Sequence, residues 1–129
     1  MSPRLEIDAT EVEDFSAIPA GNYPAKVVEI EDIADGPKAQ YIPIVFQITD
    51  GEFLNRKLWR NYVIEGKGLF GLVDLVNTLL GAGTLEAGSV GELDTDDLLD
   101  QPCNILVNEY EYPEDSGEMR NDIKKVLSA

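Results

Sequence analysis

The chain has 129 residues, of which 43% are hydrophobic, and a formal net charge of −15. This length fits one domain with a buried core, and no apolar run reaches the roughly 20 residues of a membrane span. The chain has no histidine and one cysteine, which excludes an intrachain disulfide and a Ser-His-Asp or Cys-His catalytic site.

The first 17 residues are polar and rich in acids, and we expect them to form a flexible arm. Acidic residues stand where a signal peptide would need basic residues followed by an apolar stretch. We therefore expect a cytoplasmic protein with no membrane partner.

Three strands are predicted after this arm, at residues 23–33, 41–49 and 56–64. The second is the clearest, because every second residue from Ile42 to Ile48 is large and apolar. The Asp50-Gly51 pair that follows it is a strong hairpin signal. Alternation alone does not decide which face of the third strand points inward.

An amphipathic helix is predicted over residues 67–80, and Gly81 suits its C-terminus. Its expected apolar face comprises Leu69, Leu72, Val73, Val76 and Leu80. A segment rich in glycine and acid follows at residues 82–101. Two more strands are predicted at residues 103–110 and 119–127.

The order of these elements is strand, strand, strand, helix, strand, strand. This is the order of an OB barrel, in which the helix closes one end of the barrel. We therefore predict a mainly β protein. It would consist of the acidic arm at residues 1–17 and a five-stranded OB-like barrel at residues 18–129, with one helix between strands 3 and 4.

The basic residues are unevenly distributed along the chain. Residues 83–118 hold 11 acids and no base, whereas residues 56–82 hold 4 bases and 2 acids. OB folds bind oligonucleotides across strands 2 and 3, with cations on the backbone and aromatic rings under the bases. The predicted contacts to single-stranded DNA are Lys26, Lys38, Tyr41, Arg56, Lys57, Trp59, Arg60, Tyr62, Lys124 and Lys125.

Other interpretations stay open for several of these residues. Trp59 and Tyr62 are either core residues or stacking platforms, and the cations of the third strand are either solvated or functional. The acidic run Asp94, Asp96, Asp97 and Asp100 lacks the spacing of a calcium loop. It is a solvated face, a surface that repels DNA from the back of the barrel, or a site for a basic protein.

Five segments, taken in order, resemble a family of small phage single-stranded-DNA-binding proteins, long known only as a domain of unknown function. They are residues 19–25 (PAGNYPA), 46–51 (FQITDG), 56–61 (RKLWRN), the helix at 67–81 and residues 121–127 (NDIKKVL). The resemblance covers residues 18–127. It implies an OB-like fold and a role in phage DNA replication or recombination in the cytoplasm of the host cell. It also implies a phage recombinase, exonuclease or polymerase as a partner.

The expected function is therefore non-sequence-specific binding of single-stranded DNA, by a protein that forms homo-oligomers if several copies act together. We expect no enzymatic activity, no cofactor and no metal. The alternative is an acidic interaction module or DNA mimic that binds a basic nucleic-acid-binding protein.

Overall fold

The computed structural model describes residues 17–84, 94–111 and 114–129. The arm predicted at residues 1–17 lies outside the described residues, except for Ala17. The strands are β1 (Gly21–Ile30), β2 (Ala34–Asp35), β3 (Gln40–Ile48), β4 (Lys57–Val63), β5 (Pro102–Glu111) and β6 (Met119–Ser128). The helix α1 (Leu69–Leu80) lies between β4 and β5. The protein is thus mainly β with one α-helix, as predicted.

All six strands join one antiparallel sheet. The strand β3 pairs with β1 and β2 on one side and with β4 on the other, while β5 lies between β1 and β6. The sheet curves until its two ends, β4 and β6, lie side by side. Within the described residues no ladder joins these two strands, so the sheet is not closed. The prediction had five strands, and the sixth is the two-residue strand β2.

The core lies inside this curve. The predicted inward face of β3 is confirmed, because Ile44, Phe46 and Ile48 are at most 1% exposed. The rest of the core comes from β1 and β5, from the helix α1, and from two residues outside the strands and the helix. The other fully buried large side chains of the core are Ile18, Val27, Leu75, Val76, Leu98, Ile105 and Val107.

The helix packs across β4 and β6 at one end of the sheet. It ends at Gly81, whose φ of 116° suits glycine and matches the predicted C-terminus. Leu72, Val76 and Leu80 of the predicted face pack into the core, but Leu69 is 37% exposed, and Leu75 and Leu79 join the buried face instead. The face is rotated because Leu72, Leu75, Val76, Leu79 and Leu80 form an equally regular i, i+3, i+4, i+7, i+8 series.

Two bulges bend the sheet. The first bulge occurs in β1, between Val27 and Glu29. A second bulge falls in β6, where Leu106 and Val107 face Lys125 and Ile123, so that Lys124 is the extra residue. This bulge explains how Ile123 and Val126 both point into the core although they are three residues apart.

Pro43 lies inside β3, where its missing N–H could cost a ladder hydrogen bond. The Pro43 carbonyl accepts a hydrogen bond from the Glu31 N–H at 3.0 Å, just after β1 ends and before β2 begins. The backbone N and C=O of one strand residue point to the same side. The N–H that proline lacks would therefore point to the stretch between the end of β1 and the start of β2. No ladder hydrogen bond is lost there.

Candidate nucleic-acid interface

The open gap between β4 and β6, which we call the β4–β6 seam, contains two grooves. The first groove, of about 450 Å³, lies between residues 56–59 and residues 118–121. The second groove, of about 210 Å³, lies between residues 60–62 and residues 124–126, with the first turns of α1 as its third wall. The two strands therefore run in the same direction along the seam.

The seam gathers most of the positive charge of the protein. Six of the ten lysine and arginine residues line its two grooves. They are Arg56, Lys57, Arg60, Arg120, Lys124 and Lys125. Two acids accompany them, Glu118 in the first groove and Asp74 in the second. A Glu118 carboxylate oxygen lies 3.6 Å from a guanidinium nitrogen of Arg120. The seam is thus locally positive on a strongly negative protein.

The inward face of β4 is settled by burial. Leu58 and Tyr62 are 9% and 4% exposed, whereas Trp59 is 41% exposed and points the other way. Trp59 lies opposite Val45, which is fully buried although it faces away from the core. Side chains of such cross-strand pairs are about 5 Å apart, so part of the indole covers Val45. The remainder of Trp59 borders the first groove.

Tyr62 is a core residue and not an accessible stacking platform. Burial raises its pKa from 10.0 to about 12, and the nearby Arg60 guanidinium opposes this rise. The guanidinium lies over the ring, 5.0 Å from its centroid. It does not complete a hydrogen bond to the phenol, whose buried oxygen has no hydrogen-bond partner among the described groups. The face of the Tyr62 ring therefore packs against the Arg60 guanidinium.

Three predicted contacts lie away from the seam. Lys26 shares a row on the outer face with Gln47 and Lys57, and its Nζ is 4.0 Å from an Asp100 carboxylate oxygen. Tyr41 is at the opposite end of β3, half-buried and opposite Val63. Lys38 borders a separate groove together with Lys67 and Glu65. The structure therefore brings Lys26 near one end of β4 and leaves Lys38 and Tyr41 near the other.

The acidic run forms a short 3₁₀ turn, Thr95–Leu98. Asp94 caps this turn, since its carboxylate accepts a hydrogen bond from the Asp96 N–H at 3.0 Å. Buried Leu98 anchors the turn, and the Asp100 N–H donates to the Val27 carbonyl of β1 at 2.7 Å. The turn packs against β1, the middle strand of the path from β4 to β6, and also contacts α1, but it lines neither groove of the seam.

The prediction missed several residues that line the seam, among them a cation and two exposed hydrophobic side chains. Arg120 and Met119 start β6, and Phe70, 78% exposed, lies in the first turn of α1. The excess of basic residues near the end of the sequence was a signal that could have indicated Arg120. No sequence pattern indicated Phe70. It lies beside the apolar face of the helix, and the spacing of apolar residues fits more than one rotation of that face.

The single cysteine, Cys103, is buried in the core. Burial raises the pKa of the Cys103 thiol from 9.0 to about 11, which keeps this core residue protonated at neutral pH. No group of three or more acidic or cysteine side chains is placed to hold a metal ion in residues 17–84, 94–111 and 114–129. The described residues also include no helix with the length and apolar character that crossing a membrane requires.

Comparison of the chain with protein-family models and with curated proteins gave no match. The resemblance to the phage family therefore stays a prediction.

Proposed function

We propose that this protein binds single-stranded DNA, without sequence preference, along the β4–β6 seam and the adjoining outer face of β4. The observation that carries the proposal is the concentration of six of the ten basic residues in one gap of a chain whose net charge is −15. Cations spaced along a groove contact the phosphates of a flexible strand, and exposed aromatic rings stack on its bases.

The arrangement of strands supports an OB-like interpretation of the sheet. Its neighbours run β4, β3, β1, β5, β6, with β4 beside β6 and α1 across the end of both strands. The OB barrel is a five-stranded barrel that is itself partly open. In this interpretation β4 is the third barrel strand and part of the surface on which OB folds bind oligonucleotides.

Charge segregation supports the same proposal. The acidic turn anchored by Leu98 lines neither groove of the seam, so a bound strand would lie among the cations without contacting these acids. Repulsion from the acids would then orient the encounter and reject unproductive approaches.

The binding test is fluorescence anisotropy with a labelled oligo-dT of about 30 nucleotides, long enough for the site size of an OB fold, beside a duplex of the same length. We expect salt-sensitive binding of the single strand that is clearly tighter than binding of the duplex. Equal affinity for the two, or no binding of the single strand at low salt, would refute the proposal.

A matched pair of charge reversals locates the site. Lys57→Glu changes a cation of the first groove, whereas Lys67→Glu makes the same change in net charge in a groove outside the seam. Loss of one charge-assisted contact corresponds to about tenfold in Kd. Lys57→Glu should show at least this loss, and Lys67→Glu should lose clearly less. Equal losses would mean that only overall charge matters.

The acidic interaction module remains a second candidate, because Asp96 and Asp97 are exposed on the acidic turn outside the seam. Replacing both with Asn separates the two functions. This variant should bind oligo-dT at least as well as the parent if the seam is the site. It should lose binding to a basic protein target if the acids are the site.

The setting of this function in phage replication or recombination follows from the family resemblance alone. The same holds for a phage recombinase, exonuclease or polymerase as partner.

A further inference from the structure

The second groove of the seam is built differently from the first. It is an indentation of about 210 Å³ where three elements meet. Strand β4 supplies Arg60 and Tyr62, and β6 supplies Lys124, Lys125 and Val126. The helix α1 supplies Phe70, Gly71, Asp74 and Leu75.

The bulge in β6 explains why two adjacent lysines border one groove. On a regular strand, Lys124 and Lys125 would point to opposite faces of the sheet. Because Lys124 is the extra residue of the bulge, the alternation is interrupted there and both lysines line the same indentation. With Arg60 opposite, three cations face one acid, Asp74. An anion is the charge that this groove favours.

The floor of the groove contains an unsatisfied polar group. Tyr62 is 4% exposed, and its hydroxyl oxygen is buried with no hydrogen-bond partner among the described groups. Such a group costs free energy that a bound acceptor can recover. The Arg60 guanidinium lies directly above the ring. Arg60 is therefore the donor that a bound phosphate oxygen would contact at this part of the groove.

The rim of the groove presents an aromatic ring. Phe70 is 78% exposed, the highest value among the exposed large hydrophobic side chains of the described residues. It belongs to the first turn of α1, beside the cations of the groove. An exposed ring next to a phosphate site is the arrangement with which proteins hold a base and its phosphate together.

We propose that the second groove binds one nucleotide unit, with its phosphate among Arg60, Lys124 and Lys125 and its base on Phe70. This inference deepens the proposed function and rests on it, because it assigns the end of the strand path to a defined pocket. The ligand chemistry is a phosphate ester that carries a base. A free nucleotide and a nucleotide within a strand both provide this chemistry, and the experiment distinguishes them.

The first arm of the experiment compares two exposed residues in the oligo-dT anisotropy assay. Phe70→Ala removes the ring on the rim. Ile33→Ala is the matched control, since Ile33 is 56% exposed and is separated from the seam by β3 and β4. One lost base stack weakens binding by about fivefold or more, so Phe70→Ala should show this loss and Ile33→Ala should not.

The second arm uses NMR with thymidine 5′-phosphate, and with thymidine as the control that lacks phosphate. We expect the nucleotide to shift the backbone amides of residues 70–75 and 124–126. We expect thymidine to cause much smaller shifts. Asp74→Asn should tighten nucleotide binding, because it removes the only acid that lines the described groove.

The outcomes separate the two proposals. Oligo-dT binding that Phe70→Ala leaves unchanged, without nucleotide-induced shifts at the groove, overturns the pocket and leaves the seam as the strand site. Nucleotide-induced shifts without oligo-dT binding identify a free-nucleotide pocket and overturn strand binding. Neither shifts nor binding overturns both proposals.

Discussion

Removing the hydroxyl of Tyr62 tests how the core beneath the seam is built. The phenol oxygen is buried and has no hydrogen-bond partner among the described groups, and the residue is 4% exposed. An unsatisfied buried polar group costs about 1–3 kcal/mol. Tyr62→Phe keeps the ring on which Arg60 lies and deletes only this group. At neutral pH we therefore expect the variant to be at least as stable as the parent, and up to about 2 kcal/mol more stable.

The same substitution has a larger effect in alkali. Burial raises the pKa of Tyr62 from 10.0 to about 12, so the unfolded chain loses this proton before the folded chain does. The contribution of the protonated Tyr62 phenol to the free energy of unfolding is therefore fully present below pH 10. It is lost as the pH rises through 12. For this difference in pKa, linkage gives a loss of about 1.4 kcal/mol at pH 11. Tyr62→Phe has no such proton and should escape that loss.

The assay is urea unfolding of both proteins at pH 8 and pH 11, followed by circular dichroism. Cys103, whose pKa burial raises to about 11, destabilises both proteins in alkali, and the repulsion between its thiolate and the Tyr62 phenolate is already part of the raised pKa of Tyr62. The stability advantage of Tyr62→Phe should grow by about 1.4 kcal/mol between the two pH values. An advantage that is the same at both would mean that the Tyr62 phenol ionises without cost, and that it is not buried as described.

Three further predictions concern the seam and the core. Replacing Lys57, Lys124 and Lys125 with Gln should reduce the slope of log K against log salt for oligo-dT by about 2, since each neutralised phosphate contributes about 0.7; a slope that does not change would remove these lysines from the interface. Glu118→Gln should tighten oligo-dT binding in the anisotropy assay, because Glu118 is the acid that borders the first groove, and weaker binding would contradict this. Leu98→Ala should lower the free energy of unfolding in urea by about 2–5 kcal/mol, because Leu98 is fully buried under the acidic turn; a loss below 1 kcal/mol would show that the turn is not needed to complete the core.

Alternation predicted the fold wherever one face of a strand is apolar and the other is not. On β3, every second residue from Ile42 to Ile48 is buried, and the sequence displays that pattern directly. On β4 both faces carry large apolar side chains, Leu58 and Tyr62 on one and Trp59 and Val63 on the other. A period of two fits either choice equally well, so only the packing of the assembled sheet decides between them.

The second groove was beyond prediction for a related reason. Its position depends on a one-residue bulge in β6 and on the rotation of α1, and neither follows from local pattern. The spacing of apolar residues allowed two helix faces, and Phe70 belongs to neither of them, so the pattern gave no reason to place Phe70 in a site. The prediction thus identified most of the cations of the seam but missed the ring that stands beside them.

The charge distribution constrains how the seam would work as a binding surface. The net charge of −15 repels a polyanion at long range, and this repulsion extends over about 30 Å in 10 mM salt but only about 8 Å in 150 mM salt. The seam attracts phosphates only at short range, because its six cations face a narrow gap. Salt therefore weakens both the repulsion that slows approach and the contacts that hold the strand. A modest affinity for each copy follows from this balance, and stable coverage of a strand would require several copies that bind side by side.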